Sequence, residues 1–212
     1  MPDEVDTVFL KKFRRVILDF IKNGGRAVIV AGGGGTNKKY NAAAQKIEKI
    51  KNVDLDWLGI AVTRLNAELI RVIFGNAAYG KVVINPTEKI KTNKKIIIAA
   101  GWLPGCSSDK DAILWAKNFG AKKVVNLSNI DYVYDKDPKK FKNAKPLKNL
   151  EWAEYRKMVG SKWIPRMHAP FDPIASQSAE KWGMEVVIMK ANYLDNFNDF
   201  LKGREFKGSV IK

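Results

Sequence analysis

The sequence predicts an α/β protein, a three-layer α/β/α sandwich on a mainly parallel sheet. Short continuous apolar runs recur at Ala27-Val28-Ile29-Val30, at Ile96-Ile97-Ile98-Ala99 and over 124–127. Each leads into a turn or polar loop, and helical spacing follows. Such runs suit strands buried on both faces, and strand–turn–helix alternation lays helices over both faces of a parallel sheet. The balance of 46% hydrophobic and 28% charged residues is that of a globular chain.

The elements follow in order. Residues 6–22 form an amphipathic helix: Phe9, Phe13, Val16, Ile17, Phe20 and Ile21 recur at helical spacing, Asp6 caps the start, and Asn23-Gly24-Gly25 stops it. The strand 27–30 runs into Gly32-Gly33-Gly34-Gly35, and a helix follows over 36–50. A helix over 58–74, a strand over 81–84 and the buried strand 96–99 come next. After Gly101-Trp102-Leu103-Pro104-Gly105, Ser107 or Ser108 caps a helix over 109–119. The strand 124–127 precedes an irregular polar stretch to about Pro146. Helices over 150–158 and 173–182, a strand over 184–189 and a helix over 194–201 complete the chain. The first helix has no strand before it, which the alternation leaves unexplained.

Composition narrows the chemistry. With 212 residues the chain suffices for one domain, 1–212, of two lobes. One cysteine, Cys106, excludes an internal disulfide framework, and one histidine, His168, excludes a multi-histidine metal centre. Acidic residues near the start are unlike a secretory signal, and no apolar run reaches the length of a spanning helix, so a cytoplasmic chain without membrane partners is expected. The net charge of +16 comes mostly from lysine, 30 of the 38 cations, spread over nearly every segment. A polynucleotide groove would cluster that charge and interleave aromatics. The densest stretch, 136–148, offers only Phe141 for stacking, so nucleic acid is not the expected partner and small anionic ligands suit the field better.

Three strand ends have the composition of ligand loops, the place where open α/β sheets bind. The tetraglycine fits phosphate cradling at a helix start, or close packing. Ser107 and Ser108 fit phosphate or ribose, or simple capping. In the segment 128–138, Asp131, Asp135 and Asp137 fit magnesium or a ribose, and Tyr134 a base; the alternative is an Asp-Pro turn with self-capping aspartates. No set of side chains forms a dedicated metal site.

The ordered set of motifs resembles the uridylate kinases of the amino-acid-kinase superfamily, and their archaeal-type members in particular. The matching residues are the glycine loop with Lys38-Lys39-Tyr40, Asp56-Trp57-Leu58-Gly59-Ile60 with Thr63-Arg64-Leu65-Asn66-Ala67, and Pro104-Gly105 with Ser107-Ser108-Asp109. Ser128-Asn129-Ile130-Asp131 with Val133-Tyr134 and Asp137-Pro138 follow, then Asp172-Pro173-Ile174-Ala175, and finally Lys202-Gly203 and Gly208-Ser209. The resemblance implies transfer of the ATP γ-phosphoryl group to UMP with Mg2+, in a homo-oligomer, a hexamer by family pattern. It implies an acceptor lobe over about 1–120 and an ATP lobe over about 121–212. Gly33 and Asp56 would then meet UMP, wrapped by Trp102, Leu103, Pro104, Gly105, Cys106, Ser107 and Ser108. Gly34, Lys38, Ser128, Asn129, Tyr134 and Asp137 would hold ATP, while Lys38 and Asp172 would serve the transferring group. His168 would be structural.

Departures from the family pattern accompany these matches. The family opens with a strand ending in Lys-x-Gly-Gly-Ser, whereas Met1-Pro2-Asp3 resembles the stretch just after it. The expectation is a missing first strand and phosphate loop, from a misplaced or trimmed start or from natural shortening. The alternatives to a UMP kinase are therefore an impaired nucleotide-binding relative, or a kinase of another small phosphorylated metabolite. Lys38 stands where arginine is usual, Tyr132 where glycine is, and Trp102 and Cys106 replace polar residues of the acceptor loop.

Overall fold

The first helix forms where the sequence supplies both of its ends. In a computed structural model, which describes residues 4–160 and 169–212, Asp6 Oδ1 accepts from the Phe9 amide at 2.8 Å and opens α1 (Thr7–Lys22). Its apolar face buries Leu10, Phe13, Val16 and Ile17, and the Phe13 ring meets Phe74 edge-on at 6.4 Å. The chain divides into two compact units, Met1–Asn118 and Phe119–Lys212.

The first unit continues with β1 (Ala27–Val30), α2 (Gly34–Ile47), α3 (Asn52–Phe74), a 3-10 turn at Gly75–Ala77, β2 (Ile96–Ala99) and α4 (Ser108–Asn118). β1 and β2 pair in parallel, from Ala27 opposite Ile96 to Val30 opposite Ala99. All four β2 residues are buried, while all four of β1 are half-buried; among the described residues β1 has a strand partner on one edge only.

Two expectations change here. The helix expected over 58–74 begins at Asn52, because its first turn carries Asp54, suited to a helix start, and buries Leu55 one turn before the apolar run. The strand expected over 81–84 reduces to isolated parallel bridges of Ala78 with Ile96 and Val83 with Ala99. The amides of Tyr79 and Val83 reach the carbonyls of Ile96 and Ile98. Four residues of this segment, Gly80 among them, thus lie opposite two of β2, which interrupts the ladder.

The second unit holds β3 (Lys123–Ser128), β4 (Val133–Tyr134), β5 (Pro146–Leu147), β6 (Asn149–Leu150), α5 (Trp152–Val159), α6 (Pro173–Lys181), β7 (Glu185–Lys190), α7 (Leu194–Leu201) and β8 (Ser209–Ile211). Its main sheet has the order β3-β7-β8-β6; β3/β7 and β6/β8 are parallel and β7/β8 antiparallel. The apolar run of β7 is fully buried, as the parallel-sheet pattern requires. Two buried aromatics complete the core with their polar atoms satisfied. Tyr155 Oη donates to the Phe171 carbonyl and accepts from its amide, and Trp152 Nε1 donates to the Met184 carbonyl at 2.9 Å. β4, β5, β6 and β8 had no counterpart in the sequence reading, since two or three residues carry no periodicity. Among the described residues no helix is long and apolar enough to cross a membrane. His168 lies outside them.

Candidate functional site

In the first unit the loops are held by one polar stripe on α3. Asp56, Gly59, Thr63 and Asn66 succeed each other at spacings of three and four, so they share a face. Asp56 Oδ2 accepts from the Gly105 amide at 2.9 Å. Thr63 Oγ1 donates to the Ile60 carbonyl at 2.7 Å and accepts from the Gly101 amide at 2.9 Å. Asn66 Nδ2 donates to the carbonyls of Gly32, at 2.8 Å, and Gly33, at 3.3 Å. Gly59 leaves room for Asn37 of α2, whose side-chain amide would lie 3.1 Å from a Cβ at that position. One helix face thus anchors the glycine loop and the loop 101–106 together.

Each loop has a local reason for its shape. The Cys106 amide donates to the Leu103 carbonyl at 3.1 Å, and Gly105 has φ +78°. Proline and then a left-handed glycine at the two central positions are the signature of a type II turn. That turn exposes Leu103 and aims the Gly105 amide at Asp56. Ser107 caps α4, its Oγ accepting from the Lys110 amide at 3.1 Å, and leaves Ser108 exposed at the helix start. Gly32 faces Ser108, whose Oγ would lie 3.6 Å from a Cβ there. Gly33 packs so tightly that a Cβ would come 2.6 Å from that of Asn37. Gly34 has φ +60°, and the start of α2 has no side-chain cap, so its amides remain donors for an anion. Both readings of the tetraglycine therefore have a geometric basis. Lys38 is exposed on α2; Trp102, Pro104 and Cys106 are half-buried.

A further acid lies under this loop. Asp111, in the first turn of α4, is 1% exposed, and its Oδ2 faces the Trp102 amide at a long 3.4 Å. Its Oδ1 is buried without a hydrogen-bond partner. Burial pushes its pKa up to about 7, opposed by the Trp102 N–H.

In the second unit, Ser128 ends β3, half-buried, and Asn129 is exposed beyond it. Tyr134 sits in the β4–β5 pair, its ring edge-on to Tyr132 at 6.3 Å. Burial first, then the charges of Asp131 and Tyr132, push the Tyr134 hydroxyl above its ordinary range, against Lys190. The three aspartates of this segment go separate ways. Asp131 pairs with Lys190 at 3.6 Å, Asp135 accepts from the Lys145 amide at 2.7 Å, and Asp137 accepts from the Lys139 amide at 2.9 Å. Asp137 is the self-capping turn of the second reading, while Asp135 reaches a residue ten positions on, across the β4–β5 pair. Asp172, 7% exposed, caps α6 by accepting from the Ala175 amide at 2.7 Å, with Pro173 at the first helical position.

A chain with this order of elements and loops matches the amino acid kinase family over residues 2–190. It is 34% identical to the uridylate kinase of Sulfolobus acidocaldarius, over 99% of this chain and 93% of that one. The chain belongs to the amino acid kinase family, among its uridylate kinases. The uridylate kinase of Staphylothermus marinus is 32% identical over 98% of this chain and 93% of its own. The crystal structure of uridylate kinase from Archaeoglobus fulgidus shares the fold with TM-score 0.85 at 24% identity, covering 99% of this chain and 94% of that one. UMP kinase from Bacillus anthracis shares it with TM-score 0.75 at 19% identity, covering 96% and 86%. The α/β, mostly parallel architecture expected from the sequence is thus that of the amino acid kinase fold.

Sequence reasoning gave Thr63, Asn66 and Asn37 no role. The first two stand in the motif that carries the resemblance, and their spacing from Asp56 was the available signal. Asp111 had none, because its burial arises from packing and not from the local pattern.

Proposed function

We propose that this chain transfers the γ-phosphoryl group of ATP to UMP, giving UDP and ADP. The observation that carries the reading is near full-length relatedness to uridylate kinases, 34% identity over 99% of the chain. The anchored loops of the first unit support it. In this reading Asp56 keeps Oδ1 as an acceptor for ribose hydroxyls while Oδ2 holds Gly105. Gly33 faces the UMP phosphate, the residues from Trp102 to Ser108 wrap the rest, and Gly34 and Lys38 lie toward the transferring phosphate. Ser128, Asn129, Tyr134 and Asp137 take the nucleoside side of ATP, and Asp172 orients charge near the transferred group.

The chemistry asks little covalent work of the protein. A UMP phosphate oxygen, anionic at neutral pH, forms the new P–O bond to the γ-phosphorus as the bond to the β-phosphate oxygen breaks. Amides, lysines and alignment supply the catalysis. Among the described residues no three His, Cys, Asp or Glu groups gather to hold a metal, so Mg2+ would ride on the ATP phosphates. A cytoplasmic, homo-oligomeric protein completes the proposal. An ADP-release assay with ATP, Mg2+ and each nucleoside monophosphate in turn tests it. UMP should give the fastest turnover, and no ADP release with UMP overturns the reading.

A further inference from the structure

The loop 101–106 hangs on α3 and α4 by three amides in near succession. Gly101 N–H reaches Thr63, Gly105 N–H reaches Asp56, and Trp102 N–H reaches Asp111. The first two bonds are 2.9 Å and of ordinary strength; the third is 3.4 Å. Asp111 differs from the other two anchors in depth: it is 1% exposed and holds a buried oxygen with no partner. A buried carboxylate with half its acceptor capacity unused costs stability, and a core position needs no acid for packing.

We propose that Asp111 is a positioning residue for the acceptor nucleotide: its ionised carboxylate fixes the loop 101–106 through the Trp102 amide, and proton uptake by Asp111 slackens the loop and weakens binding of the nucleoside monophosphate. The inference rests on the reading of that loop as the acceptor-binding wall.

Electrostatics support the geometry. A hydrogen bond to an ionised acceptor is roughly twice as strong as one to a neutral group, so the Trp102 anchor weakens on protonation. Burial disfavours the ionised form while the Trp102 N–H favours it, and the balance puts the transition at about 7. The groups around it leave that balance alone. β1, which packs against α4, carries only Ala27, Val28, Ile29 and Val30; the loop offers Cys106, its α3 anchor Asp56, and the first turn of α4 Asp109 and Lys110. None of these contributes to the shift, which comes from burial and the Trp102 N–H.

The sequence provides a direct probe. Residues 101 and 102 form its one Gly-Trp step, so labelling with 13C′-glycine and 15N-tryptophan reports the Trp102 amide alone. In the unmodified protein, without nucleotide, that amide should titrate with a midpoint near 7, and in Asp111→Asn the titration should vanish. For catalysis, KM for UMP should be about fivefold higher at pH 6 than at pH 8 beyond whatever Asp111→Asn shows, with kcat moving far less. The phosphate of UMP itself titrates near pH 6 in both proteins, so the difference between them isolates Asp111. An amide that does not titrate, or equal KM ratios in the two proteins, overturns the proposal. Absence of UDP formation at every pH would instead refute the kinase reading, and the amide titration would then decide for or against the Asp111 assignment by itself.

Discussion

Asp111 also has a thermodynamic signature, separate from any nucleotide. Its folded pKa, about 7, lies above the ordinary 3.8, so between these values the folded chain holds a proton that the unfolded chain releases. Stability from this group is therefore fully present below the ordinary value and is lost as pH rises through about 7. At 1.36 kcal/mol per unit, the loss between pH 5 and pH 8 is on the order of 3 kcal/mol. Asparagine, isosteric and uncharged, does not share it. Urea unfolding of both proteins at pH 5 and pH 8 should show the variant gaining on the parent as pH rises. A constant difference would place the carboxylate in contact with solvent. Nothing in the sequence marked this residue: Asp109 and Asp111 share one helix start, and only the fold buries the second.

At the scale of elements, α3 is the part on which the candidate site depends. The apolar pattern of 58–74 was legible because it follows the helical period, and Asp56 was legible through its motif. The extra six residues at the start were not, since Leu55 alone among them joins the buried face that continues through Val62 and Ile70. The short strands of the second unit escaped for a related reason: β8 is specified by Ser209 and its neighbours pairing with β7 and β6, not by local sequence. The role of α3 as a rail gives a sharp test at Thr63. Thr63→Val keeps the shape of the side chain but leaves the buried Gly101 amide without its acceptor. A buried donor left unsatisfied costs about 1–3 kcal/mol. Thr63→Val should lower the urea midpoint accordingly, and KM for UMP should rise because the loop loses its first anchor. Thr63→Ser, which restores the hydroxyl, should recover both. Loss of stability in the serine variant as large as in valine would show that the methyl group, and not the hydroxyl, is what matters.

For the whole molecule, the +16 charge and the exposed apolar residues have to be read together. The cations are spread along nearly every segment of the sequence, a pattern that favours solubility over a concentrated groove. The apolar exposure is organised differently. On the outer side of α3, Val53, Trp57, Leu65 and Val72 are 46%, 45%, 64% and 63% exposed, and Ala61 lies between them. Spacings of four, four, four and seven put them on one face, which also carries the exposed Asp54 and Glu68, the latter paired with Arg71, opposite the face that holds Leu55, Val62 and Ile70. An exposed row of large apolar side chains interrupted by only two carboxylates suits burial against a partner, and a helix of 23 residues gives a seam about 34 Å long. A second copy of the same stripe, packed across a two-fold axis, satisfies this without any other partner. The homo-oligomer proposed above would then include an α3–α3 contact. Sedimentation of the wild-type protein should give a mass at least twice that of the 23.8 kDa chain, and Leu65→Glu should shift it toward the single chain. Burying an unpaired carboxylate at the centre of the seam costs several kcal/mol per copy, enough to dissociate an interface of this size. A wild-type protein that sediments as a single chain at all concentrations would overturn the assembly, and Leu65→Glu with unchanged mass would move the interface off α3.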